Sequence, residues 1–568
     1  MRIFFKGLKF YISTLLVGAA LLLATGCSMT ADNTIGYDIV PESQKMELRH
    51  LKFRGNNVVT IDENGYVQTS PLVGKNLVET RQYRTDSLLS SKMKVGYMGV
   101  RRSDIYGLRS AGFASSMVYM NLINDKEGFG YRPIFDTLFL LLSINNYGGD
   151  TLVPINYKVY EVVKPLVGNV LSEKDSTAYI NCDLSPVYDK SKPLFTFTFP
   201  DKSKGEGPAT GYLALTPVAG GFNGLSEQTW DYVRRLMLIP EDTDDWDGYA
   251  TSGIGCYQNE DVWAERFHGL YIEPDITTSA TDNEGAMYAL DLSASGLMLK
   301  GRGRHPQDPT LIRDTVGMYY YFYNKDVKHN LSVNTIHRDL TQSESGGAAL
   351  LNSVEMSCEK SIEERDLRAK CYIEGMGGPS MELTFTDDFL DQLLALYDDN
   401  VENFQHIGIN QCMLTFYVDG ASYDWNETQS NAAVLTPILN DSFTALGTYL
   451  NYNRWTPVID YDYLYQQNYN ADLAYSGKLD RTRGCYMMNL SAYMQRLFNY
   501  VKRVRQEDGT YLFNKSDSDY MSRTIYLGAE ALAPFALSAT VLQGMENDGT
   551  TTTQAPVQID LTYTLLKK

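Results

Sequence analysis

Phe195-Thr196-Phe197-Thr198-Phe199 is the stretch that decides the fold. Three aromatic rings alternate with two hydroxyls, so a strand built from these residues has one apolar face and one wet face. The same period of two recurs outward along the chain. Ile155, Tyr157 and Val159 alternate with Asn156 and Lys158, and Met381, Leu383 and Phe385 alternate with Glu382, Thr384 and Thr386. Near the end, Val557, Ile559, Leu561, Tyr563 and Leu565 share a face opposite Gln558, Asp560, Thr562 and Thr564. One wet face per strand is what antiparallel sheets produce. Leu138 to Ile144 and Met318 to Tyr323 are unbroken apolar or aromatic runs and read as strands covered on both sides.

Helical periodicity is sparse. Asp387 to Tyr397 places Phe389, Leu393 and Tyr397 on one face, with acids in the first turn. Ser491 is expected to cap a helix carrying Met494, Leu497, Phe498 and Val501, and Lys502, Arg503 and Arg505 suit its C-terminal end. Ser226 to Leu238 is a third, shorter candidate. Tyr is very common, 41 of 568 residues, with 45 Gly, which favours strands and turns. The expected class is therefore mainly β: two β-sandwich, jelly-roll-like domains with a few short helices. The polar, Gly-containing stretch Thr341 to Gly347 marks the boundary, giving an N-terminal β-rich domain over 46–340 and a C-terminal β-rich domain with helices over 341–568.

The start of the chain is of a different kind. Arg2, Lys6 and Lys9 precede an apolar run from Phe10 to Ala24, which ends in Leu23-Ala24-Thr25-Gly26-Cys27. A positive region, a short apolar region and small residues make a secretory signal, and the run is shorter than the roughly 18 residues of a spanning helix. The ending resembles a bacterial lipobox. That resemblance implies cleavage after residue 26, acylation of Cys27 and a lipidated tether over residues 27–45, with more than one acyl chain for stable anchoring. Loss of the leader's three cations takes the net charge from −19 to −22. So acidic an exterior argues against nucleic acid and against lying flat on anionic lipid. Six cysteines remain after Cys27, widely spaced and without a Cys-x-x-Cys pair, which argues against a metal knuckle. Disulfides and independent buried thiols both fit the even count.

Catalytic signatures are missing. No His is followed by Glu, no Gly-x-Ser-x-Gly elbow occurs, and neither Gly74-Lys75 nor Gly477-Lys478 completes a phosphate loop. No catalytic residue, metal or cofactor is expected. Asp242, Asp244, Asp245 and Asp247 before Gly248 have part of a calcium-loop pattern, but Trp246 stands at the third ligand position and a solvated acidic loop fits better. His268, in Trp263 to Ile272, reads as a hydrogen-bonded structural residue. Trp455, Tyr461, Tyr463 and Tyr465 form an aromatic cluster able to stack on sugar rings or anchor a protein partner, although core packing explains it as well.

Several segments together have a familiar order. Thr34-Ile35-Gly36-Tyr37-Asp38-Ile39-Val40-Pro41 follows Cys27. Asp136-Thr137-Leu138-Phe139-Leu140-Leu141-Leu142 precedes Tyr147-Gly148-Gly149-Asp150 and Tyr157-Lys158-Val159-Tyr160-Glu161-Val162. Phe267-His268-Gly269-Leu270-Tyr271-Ile272 comes later, and Leu561-Thr562-Tyr563-Thr564-Leu565 ends the chain. This succession resembles the Bacteroidota lipoprotein family called domain of unknown function 4270, over nearly the whole mature chain. The resemblance implies an exported, β-rich lipoprotein of the outer membrane and supplies no catalytic residues. The same phylum's O-glycosylation pattern fits Asp136-Thr137-Leu138, Asp150-Thr151-Leu152 and Asp314-Thr315-Val316.

The expected function is that of a non-enzymatic binding or scaffold component of an envelope protein complex, held to the outer membrane through lipid on Cys27. An accessory of outer-membrane protein export or assembly is one form of it. A glycan-binding surface protein and a two-carboxylate glycoside hydrolase are the alternatives. Which face of the membrane the chain occupies stays open.

Overall fold

The structure is a computed structural model. It describes residues 46–568 except 55–56, 62–66, 72–76, 85–87, 104, 120–130, 240–256, 258, 277–284, 306–307, 325–326, 328, 340, 342–369, 420–446, 452–455, 461–475, 481–482, 529–536, 538 and 546–556. The chain is mainly β, in antiparallel sheets with few, short helices.

The strands run in chain order as β1 (Met46–Arg54), β2 (Asn57–Ile61), β3 (Val67–Pro71), β4 (Val78–Arg84), β5 (Val95–Ser103), β6 (Gly107–Ser115), β7 (Val118–Tyr119), β8 (Tyr131–Leu141), β9 (Ile144–Gly149) and β10 (Ile155–Glu161). They continue with β11 (Phe195–Phe199), β12 (Tyr212–Pro217), β13 (Ala219–Phe222), β14 (Leu270–Pro274), β15 (Gly285–Asp291), β16 (Gly296–His305), β17 (Asp308–Tyr321), β18 (Ser332–Asp339), β19 (Lys370–Glu374) and β20 (Pro379–Phe385). The last are β21 (Phe404–Tyr417), β22 (Gly447–Asn451), β23 (Thr456–Pro457), β24 (Ser476–Asp480), β25 (Cys485–Asn489), β26 (Thr524–Gly528), β27 (Ala539–Gln543) and β28 (Val557–Lys567). The helices lying wholly within the described residues are α1 (Glu227–Leu236), α2 (Glu260–Arg266), α3 (Asp387–Asp398) and α4 (Ser491–Val504).

Thirteen strands form one large sheet, ordered β7-β17-β16-β8-β12-β11-β10-β14-β6-β5-β15-β9, with β18 paired to β6. Its inner face closes on a single core. Phe195, Phe197 and Phe199 meet Tyr157, Leu213, Leu299, Tyr320 and, from the far half of the sheet, Met98, Phe113 and Tyr288. Phe199 and Tyr288 approach ring to ring at 5.1 Å, and Phe113 and Phe322 at 5.5 Å. The chain passes from one half to the other through β6 into β7 and through β8 into β9, as strands do at the corners of a sandwich. Trp263 on α2 plugs this core, its indole N–H donating to the Met117 carbonyl at 2.6 Å.

A second body holds the seven-stranded sheet β24-β25-β21-β28-β1-β2-β3, the five-stranded sheet β23-β22-β26-β20-β4 and the pair β19-β27, around a core that α3 and α4 share. Val557, Ile559, Leu561, Tyr563 and Leu565 all point into it, as their alternation requires. The sheets do not divide at residue 340. β1 pairs with β28 from Met46↔Leu566 to Arg54↔Gln558, and β4 pairs with β20. Residues 46–84 of the expected N-terminal domain thus complete the sheets of the C-terminal body. A boundary drawn from local composition cannot register so long-range a pairing.

Three other expectations change. β20 is buried on both faces, with Glu382 and Thr384 as inaccessible as Met381 and Leu383. It lies between β26 and β4 as a central strand, with Glu382 opposite Tyr526 on one side and Arg81 on the other. Met318–Tyr323 is covered on one side only, since Tyr320 is fully buried while Tyr319 is 38% exposed. Ser491 starts α4 but does not cap it, because its hydroxyl donates to Asn489. The cap comes instead from Asp460, whose carboxylate accepts the Ala492 and Tyr493 backbone N–H groups at 2.7 and 2.8 Å. α1 and α3 form as expected, capped by Ser226 and Thr386.

Candidate functional site

The outer face of the large sheet is covered in sections. Residues 162–187 lie over β10, β14, β6 and β18, where Tyr160, Tyr271, Ala114 and Val333 pack against Val162, Leu166, Leu171 and Leu184. Farther along, Tyr97, Ala111, Met287 and Ile336 pack against Met376 and Leu537 of the second body. That junction also holds charge. Arg101, Arg109 and Arg338 stand opposite one another on β5, β6 and β18. Both oxygens of the buried Glu374 are taken, one by Arg109 and one by Arg338. Arg338 also donates to the Gly375 and Met376 carbonyls, each at 3.0 Å, and Arg101 reaches the Leu537 carbonyl. The Tyr106 hydroxyl sits 2.6 Å from the Thr540 carbonyl and 3.0 Å from that of Ile373. Burial first, and then the Glu374 charge, push this phenol well above its ordinary range, so it acts as a neutral donor.

The third section, over β17, β16, β8, β12, β11 and the start of β10, is left open by the described residues. Here the alternation that sends Phe195, Phe197 and Phe199 inward turns Thr196 and Thr198 outward. Asn156 and Lys158 project from β10, and Ala214 and Thr216 from β12. With Asp201, Lys204 and Asp275 they line a concavity of about 340 Å³. Its polar groups are held in place. Thr198 Oγ1 donates to Asn156 Oδ1 at 2.6 Å, and Lys158 pairs with Asp275 at 2.9 Å. Asp201 accepts from the Ser203 N–H at 2.9 Å, starting a 3-10 turn over Lys202–Lys204 that ends at Gly205, and it pairs with Lys204 at 3.1 Å. The Ser203 hydroxyl, then Lys204, holds the Asp201 carboxyl below its ordinary range.

An aromatic row borders the concavity. Tyr319 on β17 faces Met298 on β16, Met298 faces Phe139 on β8, and Phe139 faces Ala214 on β12. Tyr212, two positions from Ala214 on the same face, is 58% exposed. The Lys300 ammonium stands 5.1 Å from the Phe139 ring centre. At the opposite border Glu273 faces Lys158 and accepts from the Tyr271 hydroxyl.

The residues singled out in the sequence fall elsewhere. Cys27, Trp455, Tyr461, Tyr463 and Tyr465 lie outside the described residues, as do the acidic loop Asp242 to Gly248, Cys256 and Cys358. His268 is half-buried and hydrogen-bonded to the Ala264 backbone, and burial lowers its pKa. Cys182, Cys412 and Cys485 belong to no disulfide. Burial pushes the thiol of Cys182 up to about 11 and that of Cys485 to about 12. Among the described residues, no three His, Cys, Asp or Glu side chains are placed to hold a metal, and no helix is long and apolar enough to cross a membrane. Thr137 is half-buried on the outer face of β8, and Thr151 sits in the turn after β9 beside exposed Leu152. The sequence pattern marked Thr196, Thr198, Asn156 and Lys158 as wet, but not as neighbours. The pairings of β10 with β11 and β11 with β12 carry that information. No protein-family model, curated protein or solved structure matches the chain.

Proposed function

We propose that this chain is an outer-membrane lipoprotein that works by binding and not by catalysis, as a scaffold or accessory component of an envelope assembly. Lipid on Cys27 would hold it, and the open section of the large sheet would be its contact surface. The lipobox-like leader and the resemblance to the Bacteroidota lipoprotein family support the anchoring. One observation supports the contact surface: among the described residues, on a sheet face otherwise covered by residues 162–187 and by the second body, the β17-to-β10 section presents exposed aromatic rings beside an ordered polar concavity. The carboxylates there favour binding over hydrolysis. A glycosidase needs one acid held protonated near neutral pH, whereas Asp201 is held below its ordinary range and Asp275 is engaged by Lys158.

Two measurements test this reading. Cys27→Ser should move the protein from the membrane fraction to the soluble fraction. A photo-crosslinking residue at position 319, activated in intact membranes, should capture one envelope ligand in near-stoichiometric yield. Absence of any adduct would count against the contact surface, and unchanged fractionation of Cys27→Ser against the anchor.

A further inference from the structure

We infer that the ligand of the open section is a neutral oligosaccharide, laid across the strands from Tyr319 toward Lys158; this rests on the reading of that section as a binding surface. Three features of the site carry the inference. The first is the aromatic row. A sugar ring is apolar on the face where its C–H bonds point and polar at its rim, so it stacks on a flat ring while its hydroxyls seek donors and acceptors beside it. Tyr319 and Tyr212 are 38% and 58% exposed on the face that carries Phe139. Neighbouring strands spaced about 4.8 Å apart make this row a track and not a single contact.

The second feature is the lining. Beyond Ala214 the track enters a concavity edged by the hydroxyls of Thr196, Thr198 and Thr216 and the amide of Asn156. These are short, neutral groups that both give and accept hydrogen bonds, as a hydroxyl-rich ligand requires. Its volume of about 340 Å³ falls at the lower end of small-ligand sites, roughly 300–1,000 Å³. A protein partner would favour a broader and flatter contact.

The third feature is charge. The concavity's two lysines face two aspartates, Lys158 with Asp275 and Lys204 with Asp201. The lining is neutral overall, in a chain of net charge −19. A sulfated or phosphorylated chain would meet repulsion from the whole molecule and find no surplus cation in the lining of the concavity, with Lys300 beside Phe139 as the one lysine on the row that borders it.

The test uses the full-length lipoprotein in detergent, titrated calorimetrically with maltoheptaose, cellohexaose, laminarihexaose, xylohexaose and mannohexaose, and with a sulfated heparin hexasaccharide. At least one neutral chain should bind and the heparin hexasaccharide should not. Tyr319→Ala and Tyr212→Ala should each weaken that binding roughly threefold to tenfold, the loss of one stacked ring. Both positions are solvent-exposed, and an unchanged circular dichroism spectrum would verify folding. Binding that survives the double variant but is lost in Trp455→Ala would overturn the site. Failure of every neutral chain to bind would overturn the ligand class. If the position-319 crosslinker then captures a protein, the binding surface stands and the sugar falls; if it captures nothing, both fall.

Discussion

On β5, β6 and β18, the outer-face side chains Arg101, Arg109 and Arg338 are closed under the second body; on β10, β11 and β12, the same face of the same sheet presents Lys158, Thr196, Thr198 and Thr216 to water. Both regions carry charge, and the difference lies in what the charge can do. In the closed region Arg109 and Arg338 share the Glu374 carboxylate and Arg101 reaches the Leu537 carbonyl, while Nε and Nη2 of Arg109 and Nε of Arg338 have no hydrogen-bond partner among the described residues. Such groups are costly to bury and costlier to leave unpaired. In the open region each ammonium has its own carboxylate and solvent supplies the rest. The closed region therefore fixes how the two bodies meet, and the open region keeps its side chains available to a ligand.

Glu374→Gln is the most disruptive single change expected at the closed junction. It removes the one carboxylate between Arg109 and Arg338 and leaves both cations buried at the junction. A loss of about 3–5 kcal/mol is expected, read as a lower midpoint in urea and faster proteolysis between the bodies. A midpoint equal to the parent's would mean that the arginines are satisfied without Glu374. A milder change at the same junction is Tyr106→Phe. It keeps the ring under Arg109, 5.6 Å from the guanidinium carbon, and deletes the donor to the Thr540 carbonyl. The expected cost is about 1–3 kcal/mol. Together with Glu374→Gln the two losses should be less than additive, because both loosen one interface.

How much of this contrast the sequence carried depends on the range of the interaction. Local alternation told which residues of β10, β11 and β28 face inward, because a period of two is a property of the strand itself. α3 was legible from its acids and apolar spacing, since those act within one helix. α2 was not, because seven residues around Trp263 give too little periodicity. The Asp460 cap on α4 was out of reach for another reason: it comes from 32 residues away. The same holds for the site. Nothing in the sequence marks Arg101, Arg109 and Arg338 until the sheet order places them side by side, and Phe139 and Tyr319 read as covered on both sides until the register places them outside. The aromatic cluster around Trp455 drew attention because its members are close in sequence. The row that borders the concavity is assembled from four strands.

On the open side the effects of substitution are expected to be the smallest. Lys158→Ala breaks the pair with Asp275, in which the lysine is 36% exposed and the aspartate 11%. Water can replace the ammonium, so stability should change by less than about 1 kcal/mol, against several for Glu374→Gln. The pH dependence of this region follows from Asp201. Its folded carboxyl titrates below the ordinary 3.8 because Ser203 and Lys204 hold the charged form. As pH falls, the unfolded chain takes up that proton first, so the group's stabilising share is present above about pH 4 and is lost below it. Asp201→Asn should therefore leave the unfolding midpoint at pH 7 almost unchanged and slightly reduce the fall in stability as pH drops below about 4. A loss at pH 7 comparable to that of Glu374→Gln would mean that the open face, like the closed one, is a structural joint and not a surface kept clear for a ligand.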